Sequence, residues 1–351
     1  MAPASQDLPV PPFFDASTVG QVWRVPYQAR AAYAQEWAAT HNIPPAAQDG
    51  ARIGLLLVDV QNTFCLPDFE LFAAGRSGQG AIEDNVRLCE FIYRNLPQIS
   101  HIIPTMDTHT AVQIFHPVFW MDNRGQHPAP HTVLQPADLA SGTWQVNPAV
   151  SDCFPDWDRS ELQQYARHYL EQLNRDNKHP LTVWPYHALV GSISHALVSA
   201  VEEAVYFHSL ARGTQAQYEL KGQNPLTEHY SVLRPEVLQD HHGNPIAQEN
   251  RTLIEQLLAW DAVIIAGQAK SHCVAWTVED LLREIQRRDP NLARKFYLLE
   301  DCTSPVVVPD AVDFSDYADA EFERFARAGM HVVSASDPLQ AWPEFPLAPA
   351  G

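Results

Sequence analysis

Six short apolar runs, separated by segments with helical periodicity, constrain the fold of this chain most. The runs are IGLLLVDV (53–60), SHIIPTM (100–106), AQYELKG (216–222), DAVIIAG (261–267), KFYLLED (295–301) and GMHVVS (329–334). Strands buried on both faces are nearly continuous in apolar residues, and strands that alternate with helices form parallel sheets. The pattern predicts an α/β, three-layer, Rossmann-like fold with a mainly parallel sheet of about six strands, covered by helices on both faces.

Two segments depart from this alternation. Residues 1–50 are rich in proline and alanine and predict an N-terminal arm with one helix, ARAAYAQEWAATHN, that lies on the main body or on a neighbouring subunit. Within the domain predicted over residues 51–345, residues 117–183 form a long loop followed by a polar helix. Such a loop is typical of a lid, a binding insertion or an oligomer contact. We expect it to be too irregular to form a core of its own.

Composition narrows the class of protein. The chain has 351 residues, and its formal charge is 23 − 42 = −19, which maintains solubility and disfavours binding to nucleic acid or anionic lipid. No apolar window of about 18 residues predicts a membrane span, and the start lacks a secretory pattern. An odd, sparse set of cysteines predicts free thiols and a cytoplasmic location. These cysteines are Cys65, Cys89, Cys153, Cys273 and Cys302.

Polar residues stand at or just past the ends of the predicted strands, where parallel sheets bind ligands. Asp59 and Lys221 end their strands, and Cys273 follows GQAKSH at the start of a helix. A carboxylate that takes the thiol proton, beside an ammonium that stabilises the thiolate, makes a cysteine nucleophile. Taken singly, each residue also fits a structural role: an inert buried thiol, a capping carboxylate or a solvated lysine.

A second group of residues is suited to a divalent metal. Asp107 and His109 are two residues apart in TMDTHTAVQIFHP, so both side chains can face one way in an extended segment. His116 follows, and His187 lies in VWPYH. One carboxylate with two or three imidazoles suits Zn²⁺, Fe²⁺ or Mn²⁺. The other loop histidines are predicted to be surface residues, namely His127, His131, His241 and His242.

Three motifs together resemble the nicotinamidase and isochorismatase-like cysteine hydrolase superfamily. They are a strand that ends in DVQNTF, the D-x-H … H stretch with a later WPYH, and KG nine residues before YS, followed by GQAKSHCV. The resemblance covers about residues 50–120 and 180–340. It implies that Cys273 is the nucleophile, that Asp59 is the general base and acid, and that Lys221 completes the triad.

The resemblance also implies the rest of the site. Metal ligands correspond to Asp107, His109 and His187, and to His116 with a spacing one residue longer than usual. Gln268 and Ala269 stand where the superfamily has a cis peptide beside the oxyanion hole, in which the backbone N–H groups of Ala269 and Cys273 would point at the oxyanion. Substrate-binding residues are predicted to be Phe64 and Trp184, as aromatic walls, and Tyr230. Ala188 replaces the cysteine that commonly follows the WPxH histidine.

The sequence therefore predicts a metal-containing amidohydrolase that acts on nicotinamide or a related small aromatic amide and forms a homo-oligomer. A same-fold alternative hydrolyses carbamoyl or ureido substrates, but those branches do not generally use a metal. Isochorismatase itself is disfavoured because its branch lacks the nucleophilic cysteine. A different class of alternative is a non-catalytic binding or scaffold protein that keeps the fold.

Overall fold

The six apolar runs form one six-stranded parallel sheet. The computed structural model describes residues 7–176, 178–308 and 312–347. The sheet strands are β1 (Ile53–Val58), β2 (His101–Asp107), β5 (Glu219–Lys221), β6 (Ala262–Gly267), β7 (Phe296–Leu299) and β10 (His331–Val333). Their order is β10-β7-β6-β1-β2-β5, and each neighbouring pair runs parallel. The predicted fold class is confirmed. Residues 1–6 of the predicted arm and residue 177 of the insertion lie outside the described residues.

Helices cover both faces of the sheet. Successive side chains of β1 point to opposite faces: Leu55 and Leu57 join one buried cluster, and Leu56 and Val58 join the other. Helices α1, α3 and α6 contribute to the first cluster, and α7, α8 and α9 to the second. The helices are α1 (Tyr27–Thr40), α2 (Asn62–Cys65), α3 (Gly80–Arg94), α4 (Pro136–Ser141), α5 (Arg159–Arg175), α6 (Ser199–Arg212), α7 (Arg251–Ala259), α8 (Ala275–Arg288) and α9 (Ser315–Arg327).

The arm lies on its own chain. Helix α1 packs against α6, where Arg30 forms an ion pair with Glu203 at 2.5 Å between Nε and Oε1. The backbone N–H of Trp23 donates to Ser199 Oγ at 2.9 Å. The Arg30 guanidinium also lies 3.8 Å from the centre of the Phe13 ring. Of the two places predicted for the arm, its helix therefore occupies the main body.

The insertion has a core of its own, so the expectation that it is too irregular for one is wrong. Its apolar side chains form a third buried cluster around α5, which includes Trp120, Phe154, Tyr165 and Tyr169. Two short strands, β3 (Trp120–Met121) and β4 (Gln145–Val146), pair antiparallel within it. Outside α5, short turns rather than a regular period bring these side chains together, which is why that part of the sequence resembles a loop. A further antiparallel pair, β8 (Val307–Val308) and β9 (Val312–Asp313), lies outside the insertion.

The chain reverses direction across the sheet beside β1. It runs from β1 outward to β2 and β5, then returns to β6 on the other side of β1. A crevice opens at such a switch point, outside the carboxyl ends of the strands. In the described part of the chain, no helix is long and apolar enough to cross a membrane.

The close approach of β1 and β6 at this switch point depends on Gly267. Its φ is +113°, and a Cβ there would lie 2.1 Å from the Val58 carbonyl oxygen. We expect Gly267→Ala to lower the free energy of unfolding by at least about 2 kcal/mol, because strained backbone and steric overlap both contribute. Gly243→Ala is the matched control, since Gly243 has φ +85° with open space around it. Equal shifts of the two urea unfolding midpoints would contradict this account.

Candidate active site

Four strand-end side chains meet at the carboxyl edge of the sheet. The Lys221 ammonium lies 2.9 Å from Asp59 Oδ2, 3.0 Å from Asp107 Oδ1 and 3.6 Å from Cys273 Sγ. All four residues are buried. The structure thus brings together the three residues that the sequence predicts as a triad, and places a predicted metal ligand beside them.

Lys221 reaches across the sheet edge to make these contacts. Its strand, β5, is separated from β1 by β2, and two strand spacings amount to about 10 Å. The four-carbon stem of Lys221 and the side chain of Asp59 together bridge this distance. The His229 carbonyl also accepts from the ammonium at 2.8 Å. Burial lowers the pKa of Lys221, but the carboxylates of Asp107 and Asp59 outweigh it and hold the pKa well above its ordinary value. The side chain is therefore a permanent cation.

Asp59 is held in place by its neighbours on β2. Its backbone lies in the left-handed region at φ +48°. The Thr105 hydroxyl accepts from the Asp59 backbone N–H at 3.0 Å and donates to Asp59 Oδ1 at 2.5 Å. Burial raises the pKa of Asp59, while Lys221 opposes the rise. A carboxylate with a raised pKa is suited to accept a proton and return it.

Cys273 lies on a π-helical turn, Lys270–Val274, that runs into α8. Its side chain lines a cavity of about 530 Å³, so the sulfur is buried but faces open space. Burial raises the pKa of the Cys273 thiol well above its ordinary value, Lys221 lowers it, and Asp59 raises it again. The resting group is accordingly a thiol beside a proton acceptor, and the ammonium favours the thiolate once the proton has moved.

Three of the four predicted metal ligands form a compact cluster. Ligand atoms of Asp107, His109 and His187 all lie within 4.8 Å of one another, and all three residues are buried. His109 Nε2 is 2.7 Å and His187 Nε2 is 3.6 Å from Asp107 Oδ2. One carboxylate oxygen and two imidazole nitrogens are a donor set that first-row divalent metals accept.

The histidine tautomers fit a metal as well. His109 Nδ1 lies 3.0 Å from the Gly222 carbonyl, and His187 Nδ1 lies 2.7 Å from the Pro185 carbonyl. A carbonyl oxygen only accepts, so each Nδ1 carries the hydrogen and each Nε2 of the neutral ring presents a lone pair. This backbone anchoring of the second nitrogen is typical of metal-binding histidines.

His116 lies next to this cluster but outside it. Its ring centre is 6.1 Å from those of both His109 and His187. Its Nδ1 lies 3.1 Å from the Ala111 carbonyl, while its buried Nε2 has no hydrogen-bond partner among the described residues. Burial lowers the pKa of His116 to about 3, so the ring is neutral. A buried lone pair without a partner suits a further ligand, and the role of His116 stays a prediction.

Gly222 explains why glycine follows the lysine in the KG motif. Its φ is +79°, and a Cβ there would lie 2.5 Å from His109 Cε1 and 2.7 Å from Asp107 Oδ1. Only glycine lets the backbone pass this close to Asp107 and His109. The preceding residue, Lys221, can then place its ammonium beside Asp59 and Cys273.

The predicted substrate-binding residues all line the cavity. These are Phe64, Trp184 and Tyr230. The Phe64 ring meets His187 edge-on at 5.8 Å between centres. The peptide bond between Gln268 and Ala269 is cis, as expected, and Ala269 lines the same cavity. Their roles in substrate and oxyanion binding remain predictions.

A buried hydrogen-bond network behind the aromatic wall was not predicted. Trp184 Nε1 donates to the Tyr230 hydroxyl, which donates to Glu228 Oε1, each at 2.9 Å. Tyr169, from the insertion, donates to Glu228 Oε2 at 2.9 Å. Burial raises the pKa of Glu228 to about 8. No local sequence signal joins Tyr169 and Glu228, which are 59 positions apart.

Three further histidines line the cavity, namely His131, His229 and His272. His131, predicted as a surface residue, is exposed but stands at the cavity wall with its ring 5.8 Å from Trp184. His272, directly before the nucleophile position, was not singled out by the sequence. Its Nδ1 lies 2.9 Å from Ser271 Oγ, and burial lowers its pKa well below the ordinary value.

Comparison with known proteins gives similarities of structure. No protein-family model matches the chain, and no curated protein sequence matches it. The fold is similar to that of yeast nicotinamidase Pnc1p, with a TM-score of 0.49 at 17% identity over 80% of this chain and 99% of that one. An Acinetobacter baumanii nicotinamidase and pyrazinamidase gives 0.48 at 16%, over 82% and 99%. The zinc complex of a Pyrococcus horikoshii pyrazinamidase gives 0.43 at 15%, over 81% and 99%. Function has to be inferred from the side chains of the site.

The electrostatics of the triad predict opposite effects of two substitutions on Cys273. Lys221→Met removes the charge that lowers the Cys273 pKa, so the pH midpoint of iodoacetamide alkylation should rise by at least about one unit. Asp59→Asn removes a charge that raises this pKa, so the midpoint should fall. Both are measured in a Cys153→Ala background, since Cys153 is exposed whereas Cys65, Cys89 and Cys302 are buried.

A chemical-shift or mass-spectrometric readout on the Cys273 peptide reports this midpoint directly. Shifts of the same sign for both variants, or no shift for either, would show that the charges of Lys221 and Asp59 do not control the reactivity of Cys273.

The donor cluster predicts one divalent ion per chain. His187→Ala should weaken Zn²⁺ binding by at least about tenfold, because it removes a ligand atom whose orientation the Pro185 carbonyl fixes. His242→Ala is the control, since His242 is exposed in a turn. Competition with a chromophoric chelator gives both affinities. Equal weakening by the two substitutions would contradict the assignment of the cluster.

Proposed function

We propose that the protein is a metal-containing cysteine amidohydrolase of the nicotinamidase and isochorismatase-like superfamily. It converts nicotinamide or a related small aromatic amide to the acid and ammonia. The observation that carries this proposal is the Lys221 ammonium, which lies within 3.6 Å of Cys273 and closer still to Asp59 and Asp107. A nucleophile and a cation therefore line one cavity with a metal-ligand cluster. The proton acceptor, Asp59, lies behind the cation.

The acylation step follows from these positions. Asp59 takes the Cys273 proton, and the sulfur forms a bond to the amide carbonyl carbon. Backbone N–H groups of Ala269 and Cys273 stabilise the oxyanion, and one such donor contributes about 3 kcal/mol in characterised hydrolases. The C–N bond then breaks, and the nitrogen leaves as ammonia with the proton from Asp59. The product is a thioester on Cys273.

Deacylation returns the site to its starting state. Asp59 takes a proton from water as the oxygen bonds to the thioester carbon. The C–S bond breaks, the acid leaves, and the thiolate recovers its proton from Asp59. Lys221 stays charged throughout and stabilises the thiolate form.

The aromatic walls and the metal ligands orient the substrate. Phe64 and Trp184 offer ring faces, and a stacked pair contributes about 1 kcal/mol beyond burial. Asp107, His109 and His187 would hold a Zn, Fe or Mn ion, with His116 beside them. When bound, this cation supplies a positive charge that a ring nitrogen of the substrate binds, directly or through water.

The same observations bear on the alternatives. The buried donor cluster disfavours a carbamoyl or ureido hydrolase of this fold, since those branches do not generally use a metal. A scaffold protein has no need of a buried thiol that opens on a cavity beside a fixed cation. All five cysteines are free thiols, which supports a cytoplasmic location. Homo-oligomerisation stays a prediction.

Ammonia release from nicotinamide tests the proposal. We expect metal-loaded wild-type protein to release ammonia, Cys273→Ala to lose at least about 10³-fold in kcat, and a chelator to lower the rate. Cys153→Ala should keep the wild-type rate, because Cys153 is exposed and does not line the cavity. Release by Cys273→Ala at the wild-type rate would overturn the assigned chemistry. No release by metal-loaded wild type would exclude nicotinamide as substrate.

A further inference from the structure

The cavity above the triad is larger than a single-ring amide needs. Its volume is about 530 Å³. Nicotinamide has nine non-hydrogen atoms, whereas cavities of about 300–1,000 Å³ enclose drug-sized ligands. The cavity therefore has the size of sites that bind organic ligands larger than nicotinamide.

The remaining wall is apolar and held in place. Phe69, Leu71 and Phe72 line the cavity from the segment that follows α2. The Leu71 N–H donates to the Thr63 carbonyl at 3.0 Å, and the Phe69 N–H donates to the Leu66 carbonyl at 3.1 Å. These bonds tie the segment to α2. Val306, Val307 and Val308 complete this wall. A concave, preformed and apolar surface is what a binding site for an apolar group requires.

Polar atoms in this region already bind one another. Trp184 Nε1, the Tyr230 hydroxyl and the Glu228 carboxyl form one chain of hydrogen bonds. The Tyr169 hydroxyl donates a hydrogen bond to the second carboxyl oxygen of Glu228. Burial raises the pKa of this carboxyl, which therefore resists becoming an anion. The network presents aromatic faces to the cavity and leaves its donors occupied.

Away from the metal-ligand cluster, the described cavity wall also has no cation to receive an anionic substituent. Among the described residues that line it, Lys221 is the one lysine or arginine, and two carboxylates already neutralise it. Glu70 stands exposed on the same wall and adds negative charge. An acidic group on a ligand would thus lose its hydration without gaining a partner.

We propose that the substrate is an uncharged primary amide of an aromatic ring that carries an extended apolar substituent. The amide reacts at Cys273, and the substituent lies against Phe69, Leu71 and Phe72. This inference rests on the proposed amidohydrolase function and specifies its substrate class.

Ammonia release from a series of ring-substituted nicotinamides tests it, with metal-loaded wild-type protein. We expect kcat/KM to rise about fourfold for each buried methylene group in an alkyl chain, because each one leaves water for the apolar wall. A chain of equal length that ends in a carboxylate should lower kcat/KM at least about tenfold relative to the alkyl chain.

Two variants locate the effect. Phe72→Ala should lower the ratio of kcat/KM for the alkyl amide to that for nicotinamide, while Val22→Ala should leave this ratio unchanged. Val22 is an apolar residue of the arm, 42% exposed, and does not line the cavity. The two variants thus separate loss of cavity wall from loss of apolar surface in general.

The outcomes separate the two proposals. Hydrolysis of nicotinamide with an equal or lower kcat/KM for the alkyl amides overturns the substrate class and leaves the amidohydrolase function standing. An unchanged ratio in Phe72→Ala also overturns it. Absence of ammonia from every amide in the series overturns both proposals.

Discussion

The buried ammonium of Lys221 is the interaction on which the rest of the site depends. It lies between Asp59 and Asp107 and is 2% exposed. Two carboxylates this close would not both stay ionised without it, and breaking a buried ion pair costs about 3–5 kcal/mol. Because Asp59 belongs to the proposed triad and Asp107 to the predicted metal-ligand cluster, the Lys221 side chain couples the two. Two carboxylates and one ammonium leave one net negative charge, which a divalent cation would offset.

The fold supplies this arrangement through the order of its strands. Asp59, Asp107 and the turn that holds Cys273 follow adjacent strands at the switch point, so short backbone steps bring them together. Lys221 comes from the edge strand of the sheet. Its long, flexible side chain lets the ammonium reach Asp59. Gly222 and Gly267 allow the backbone to pass where any side chain would collide. The insertion contributes to the site indirectly. Its Tyr169 donates a hydrogen bond to Glu228, which lies behind the aromatic wall of the cavity.

Much of this arrangement is predictable from the sequence because strand ends are local signals. Asp59, Lys221 and Cys273 each follow an apolar run, and the sheet brings those ends to one edge. The core of the insertion was missed because Trp120, Leu134 and Phe154, which pack with α5, lie in segments without a helical or strand period. The network of Glu228 was missed because its partners are far apart in the chain. His131 and His272 gave no signal beyond residue type, and only three-dimensional packing places them at the cavity.

The proposed reaction requires Cys273 to form a covalent bond with the substrate while Asp59 carries the proton. Rapid acid quenching during turnover, followed by peptide mass spectrometry, tests this most directly. The account predicts that the peptide containing Cys273 gains the mass of the acyl group, which is the amide less ammonia. Turnover at the full rate with no acyl group on any peptide, or with the acyl group on another residue, would contradict it.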